Sequence, residues 1–364
     1  MSSLSTNTGT VRSARNSDPS APESAEVADS DPRLAEIKAL MLKLAAGRRF
    51  ERLGAIVQEH LFTGGKRLRA RLALASLDAL GAGEAYAVGW AAACELLHNA
   101  TLVHDDLQDS DPVRRGHFTV WVRHGQAQAI NAGDLLLMLP YVALEHVECS
   151  DATRWHLTRA IARRSEDTVR GQSLEMCLLD GGQWDWGSYA DAAQGKTSAL
   201  MALPVHGAAL LAGRSPAVAE ALADAFKPLG LLFQIQDDVL DLYGDKGRGE
   251  PGGDIREGRV SALVAEHLRI VPEDEKWLVG LLAKGRDDTT PRDVERAAAR
   301  FVEAGTRDAV LERIRTLVAD IESSEVLSTE PGLRGVALQL AHRSLAPIRC
   351  LMPEAEDPRE EEDA

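Results

Sequence analysis

The sequence predicts an all-α chain, long enough for a single large helical bundle around a central cavity. Three observations predict the helices. Leu and Ala dominate the 364 residues, and aromatics are only 4%. Gly and Pro fall mainly between long apolar-periodic segments. No stretch of useful length alternates apolar and polar residues as a half-buried strand does.

Residues 1–30 read as a disordered leader. Its first part carries Arg12 and Arg15 without acids, but Asp18, Glu23, Glu26 and Asp29 interrupt any transit-peptide pattern. Asp31 is an N-cap for an amphipathic helix over Pro32–Ala46. A second helix, Phe50–Phe62, stops at Thr63-Gly64-Gly65. A third runs Lys66–Leu80. Ala85–Gln108 is long and ends in an acidic cluster, and Asp111-Pro112 to Gly116 is a loop. Helices follow at about 118–128, 131–148, 152–179, 187–212 and 216–243. Gly244–Gly253 is a Gly-rich loop. Shorter helices fill 259–348, broken at Pro272, Gly285, Gly305 and Pro331. One domain therefore spans 31–351. That is large for a single helical unit, and a bundle around a deep central cavity could be that size. Residues 352–364 are an acidic tail that reads as disordered.

Net charge is −15, which excludes nucleic acid as a partner because a phosphate backbone would be repelled. Cys94, Cys149, Cys177 and Cys350 are scattered without any Cys-x-x-Cys pair. Zinc and disulfide readings fail, and a reducing, cytoplasmic setting fits. No apolar run reads as a transmembrane segment, and there is no signal-peptide core.

The chemistry lies in two acidic clusters of identical spacing, Asp105-Asp106-Leu107-Gln108-Asp109 and Asp237-Asp238-Val239-Leu240-Asp241. On a helix Asp105 stands over Asp109 and Asp237 over Asp241, and like charges so placed repel. Two matched copies in apolar helices point to hard cations. Carboxylates with open positions suit Mg²⁺, which completes its shell with water and substrate phosphates. The cations that a phosphorylated substrate needs are present. Lys66, Arg67 and Arg69 open a helix after Gly64-Gly65, Arg114-Arg115 follow the first cluster, and Lys196 sits inside an apolar stretch. No Walker pattern, nucleophile elbow or dinucleotide fingerprint is present. Ionisation of a diphosphate leaving group fits this inventory.

Together the motifs resemble the polyprenyl synthetase family, the head-to-tail trans-isoprenyl diphosphate synthases, from about Gly64 to Val264. The basis is Gly64-Gly65-Lys66-Arg67-Leu68-Arg69, then Leu102 to Asp109 with Arg114-Arg115-Gly116. Gly171-Gln172-x-x-Glu175, Gly195-Lys196-Thr197, Phe233-Gln234-Ile235-Gln236-Asp237-Asp238-x-x-Asp241 and Asp254-Ile255-Arg256-Glu257-Gly258-Arg259 follow in order. The resemblance implies a helical homodimer that condenses isopentenyl diphosphate with an allylic diphosphate. It implies three Mg²⁺ ions held by Asp105, Asp109, Asp237 and Asp241. Gly65, Lys66, Arg69, His98 and Arg115 would hold isopentenyl diphosphate, while Arg114, Lys196 and Arg259 would bind substrate diphosphate. Lys196, Thr197 and Gln234 would be catalytic, the last two facing the allylic cation.

Four positions depart from the family pattern. Ala70 stands for a Pro, Glu175 for an Asp and Arg259 for a Lys, and Glu250 lies near the place of an expected loop Lys. Ala100, five residues before Asp105, lies roughly 7.5 Å down the helix axis. With Thr101 beside it, the resemblance makes this the wall that limits product length. Both are small, so the floor is expected deeper, near Leu97, Cys94 or the next helix around Leu135, Met138 and Tyr141. This predicts a C20 product, geranylgeranyl diphosphate, with C25–C40 or farnesyl products as alternatives. A class I terpene cyclase or a non-catalytic synthase subunit are readings of another class. The basic motif at Gly64–Arg69 and both intact acidic clusters argue against them.

Overall fold

The computed structural model describes residues 31–47, 51–244 and 251–352. The leader, Phe50, most of the tail, and Lys246, Arg248 and Glu250 of the Gly-rich loop lie outside the described residues. The described residues are helical almost throughout. In order the helices are α1 Arg33–Ala46, α2 Glu51–Phe62, α3 Leu68–Ala79, α4 Ala87–Gln108, α5 Val120–His124 and α6 Gln126–Ala143. Then come α7 Asp151–Cys177, α8 Trp186–Ala193, a π-turn at Gln194–Ser198, α9 Ala199–Leu211, α10 Pro216–Asp224 and α11 Lys227–Tyr243. The last are α12 Gly253–Arg256, α13 Ala262–Ile270, α14 Glu275–Leu282, α15 Pro291–Glu303, α16 Thr306–Glu322, α17 Glu325–Ser328 and α18 Pro331–Leu345.

Local chemistry sets many of these starts. Ser150, Asp185, Ser215 and Ser261 each accept a hydrogen bond from a first-turn N–H of α7, α8, α10 and α13. Thr290 and Asp293 form a reciprocal capping box on α15. Asp31 acts one residue early, accepting from the Arg33 N–H at 2.9 Å.

Two buried cores hold the helices together. One gathers α1–α4, α6, α9 and α10 around Trp90, whose indole N–H donates to the Pro204 carbonyl. The other gathers α8, α11 and α13–α16 around Phe301. Helix α11 contributes to both, through Leu229 in the first and Ile235 and Val239 in the second. Helices α4 and α6 make the most extensive pairing. Gly133 permits it, because any Cβ there would meet the His104 ring.

Four sequence expectations change. The loop after α4 contains a two-strand hairpin, β1 Val113–Arg114 paired with β2 His117–Phe118. Arg115 and Gly116 both have positive φ, the requirement of a tight two-residue hairpin turn. The helix expected at 118–128 is broken at Gly125 (φ +85°), so α6 begins at Gln126. The helix expected at 187–212 is interrupted by the π-turn. The one at 216–243 splits before α11, where Pro228 in the first turn has no N–H to carry a helix through. One further difference concerns Gln126–His146, which is long and apolar enough to span a bilayer by length and composition alone. Its Ala129, Ala132, Gly133, Leu136 and Leu139 are buried within the fold, as in a core helix.

Candidate active site

The first acidic cluster forms the C-terminal turn of α4, and its three carboxylates do different things. Asp105 and Asp109 share a face. Burial raises the Asp105 pKa to about 6; Lys196 opposes the rise, while Asp109 and Glu175 add to it. Burial also raises Asp109, against the pull of Arg259, whose Nη2 lies 2.7 Å from its carboxylate. Asp106 points the other way, is 1% exposed, and takes the Arg114 Nε at 2.5 Å.

Lys196 faces this pair from the π-turn, a feature common at functional sites. Its ammonium donates to Glu175 on α7 at 2.6 Å, and Asp105 and Glu175 hold it protonated despite burial. Helix α7 comes this close because Gly171 has no Cβ, which would collide with Gly195 and the Lys196 N–H. Thr197, one residue on, is buried and donates to Gln234 Oε1 on α11 at 3.1 Å.

The second cluster lies on α11. Asp237 is on the exposed side. Asp241 accepts from the Asp254 N–H at 3.0 Å, and its carbonyl from the Gly252 N–H at 2.8 Å, which pins α12 to α11. Arg259 lies 4.0 Å from Asp254 and 2.8 Å from Glu257, so it ties the Asp254 turn to Asp109 of the first cluster. Asp238 is buried and accepts from Tyr189, the Ala262 N–H and Gln234. Burial lifts its pKa to about 7 against the pull of these donors.

The basic groups gather on the other side of α4. Gly64 (φ +81°) and Gly65 (φ +124°) make a turn closed to other residues. A Cβ on Gly65 would lie 2.5 Å from the Arg115 guanidinium carbon, and Arg115 donates to the Gly64 carbonyl. Here the expected order is corrected. Helix α3 starts at Leu68, so Lys66 precedes it, exposed, and Arg67 is its N-cap residue at φ +49°. Arg67 turns inward, donating to the Leu61 carbonyl and lying 3.6 Å from Glu95. Arg69 is further in, its pKa lowered by burial and its Nε without a partner. His98 is held neutral by burial and by Arg69, Arg115 and Arg114, and its Nδ1 also has no partner.

Sequence reasoning missed His60, Glu95 and Tyr189. His60 lies in the last turn of α2 and faces Arg114 and Arg115, which with burial lower its pKa to about 3. Glu95 had a visible signal, a lone acid in the alanine-rich run of α4. Of the residues expected to limit product length, Ala100 and Leu97 are fully buried and Thr101 is half-buried, its hydroxyl donating to the His98 carbonyl. Met138, expected near the floor, is exposed on α6.

Among the described residues no three His, Cys, Asp or Glu side chains are arranged to hold a metal unaided. The donors still fit a hard divalent ion. Asp105 and Asp109 are paired carboxylates crowded by burial and mutual repulsion, which a cation relieves.

The polyprenyl synthetase family model matches residues 51–301. The short chain isoprenyl diphosphate synthase of Methanothermobacter thermautotrophicus is 35% identical over 241 residues, 65% of this chain and 74% of that one. The geranylgeranyl diphosphate synthase of Saccharolobus solfataricus is 36% identical over 244 residues, 66% and 73%. The crystal structure of geranylgeranyl pyrophosphate synthetase from Pyrococcus horikoshii superposes with a TM-score of 0.77 at 26% identity, covering 86% of this chain and 96% of that one. A polyprenyl synthase from Caulobacter crescentus, complexed with calcium and isoprenyl diphosphate, gives 0.71 at 25%, covering 86% and 94%. Enzymes of this type are divalent-metal dependent and act on isoprenoid diphosphates. The chain belongs to the polyprenyl synthetase family and is a prenyltransferase.

Proposed function

We propose that the enzyme condenses isopentenyl diphosphate with an allylic diphosphate and stops at C20, geranylgeranyl diphosphate. One observation carries the reading: charge is segregated about the end of α4. The carboxylates meet α7, the π-turn and Arg259, whereas Arg69 and His98, gathered with Arg115, keep buried nitrogens without a partner. The first side suits a metal-bound allylic diphosphate, the second a diphosphate bound by cations alone.

In this scheme Asp105, Asp109, Asp237 and Asp241 would hold three Mg²⁺ ions, whose positive charge would stabilise the diphosphate leaving group. Arg114, Lys196 and Arg259 bind its oxygens. Gly65, Lys66, Arg69, His98 and Arg115 hold isopentenyl diphosphate with its double bond toward the ionising carbon. Thr197 and Gln234 face the allylic cation. A proton is then lost to the departing diphosphate, which regenerates a double bond. The small Ala100 and Thr101 let the chain grow past them toward Leu97.

The scheme also makes the enzyme a cytoplasmic homodimer. Ile130, Met138 and Val142 of α6 and Trp155, Val169 and Met176 of α7 are large exposed apolar side chains, and these two helices form the proposed interface. Purified enzyme, Mg²⁺ and labelled isopentenyl diphosphate, with dimethylallyl, geranyl or farnesyl diphosphate, test the reading. A discrete C20 product supports it. A ladder of C25 and longer products keeps the reaction and overturns the floor. A hydrocarbon formed from geranylgeranyl diphosphate alone would replace it with a cyclase.

A further inference from the structure

A directed chain of hydrogen bonds runs from the second core into the site. The Ala262 N–H and the Tyr189 hydroxyl both donate to Asp238 Oδ2 at 2.7 Å. Gln234 Nε2 donates to Asp238 Oδ1 at 3.0 Å, and Thr197 Oγ1 donates to Gln234 Oε1 at 3.1 Å. The direction follows from the ionised carboxylate on which three donors converge. In that form Asp238 only accepts, so the Gln234 amide turns its nitrogen to Asp238 and its oxygen to Thr197. The Thr197 hydroxyl must then spend its proton on Gln234.

We propose that Asp238 is the positioning residue that sets the polarity of the site. It leaves the lone pairs of Thr197 Oγ1 and Gln234 Oε1, never an N–H or O–H, to face the reacting carbon. Two dipoles then present their negative ends where positive charge develops, without reorganisation during reaction. The proposal rests on the reading that Thr197 and Gln234 face the allylic cation.

Asp238→Asn is the test, because it is close to isosteric and reverses the chain. The backbone N–H of Ala262 cannot turn over, so the asparagine oxygen must take the place of Oδ2. Its NH₂ then meets Gln234, whose amide must flip. Thr197 now accepts from Gln234 Nε2, and its own O–H is freed toward the cavity. Tyr189→Phe is the control. It removes a donor from the same buried carboxylate but leaves the direction intact.

The readout is the ratio of dissociation constants for two unreactive primer analogues with Mg²⁺, one carrying a protonated amine at the ionising carbon and the other an uncharged carbon there. Condensation kinetics are measured alongside. In Asp238→Asn the preference for the ammonium analogue should fall about tenfold, the equivalent of one directed interaction. kcat should fall at least as far, with both KM values held within about threefold. Tyr189→Phe should keep the preference. Equal loss of preference in both variants, or none in Asp238→Asn, overturns the proposal. Thr197→Val separates the two levels: if removing its oxygen leaves the preference intact, the placement of Thr197 at the cation is wrong rather than the polarity argument.

Discussion

The Arg259 guanidinium lies 2.7 Å from the Asp109 carboxylate, although 150 residues separate them in the chain. This contact joins the turn after α12 to the first acidic cluster. Glu257 and Asp254 share the same guanidinium, so Arg259 is held in place before any substrate arrives.

Arg259→Gln should therefore weaken the allylic side alone. The KM for the allylic primer should rise about tenfold, the loss of one charge-assisted contact. The KM for isopentenyl diphosphate should stay within about twofold. Initial-rate kinetics varying each substrate in turn decide it, and equal rises in both KM values would count against the division of the site.

Gly65→Ala should act on the opposite side. It places a Cβ at φ +124° and against the Arg115 guanidinium. Strain of about 1–3 kcal/mol is expected, together with a displaced Arg115. The KM for isopentenyl diphosphate should rise while that for the allylic primer holds. Thermal melts and the same kinetics check both effects.

Ala100→Phe should shorten the product. Ala100 is fully buried, and on the proposed scheme the added ring occupies the path of the growing chain. Overpacking should cost about 1–3 kcal/mol of stability. Chain-length analysis should show C15 or shorter products, and an unchanged C20 product would remove Ala100 from the wall.

His60 gives a pH dependence. Its pKa falls from the ordinary 6.5 to about 3 in the folded enzyme, through burial and then Arg114 and Arg115. Between those values the unfolded chain binds a proton that the fold does not, so stability drops as pH falls from 6.5 toward 3. His60→Gln should flatten this part of the stability curve for the ligand-free enzyme. Urea denaturation at several pH values reads it.

The fold was largely legible in the sequence because helical periodicity and Gly/Pro breaks report directly on local backbone preference. What escaped was decided by single residues whose effect depends on neighbours. Gly125 and Pro228 broke helices that periodicity would continue. Arg115-Gly116 adopted a positive-φ turn that reads as loop in the sequence. In the site, residue types and spacing indicated which side chains carry chemistry, but not which way they turn. Asp106 and Asp238 sit in the same motifs as Asp105 and Asp237, yet both point into the protein. Arg67 leaves the basic run for Glu95. His60 and Tyr189 had no local signal, since each earns its place through a partner far off in the chain.

The turn at Gln194–Ser198 holds one more residue than a regular helical turn, and so acts as a phase shift between α8 and α9. Upstream, Tyr189 and Ala192 must face one core; downstream, Pro204 and Gly207 must face Trp90 in the other. A continuous α-helix would satisfy only one of these. Removing a single residue from this turn would rotate everything beyond it by about 100°. The ridge that carries Lys196 and Thr197 is thus also the gear that keeps two separately packed halves of the protein in register.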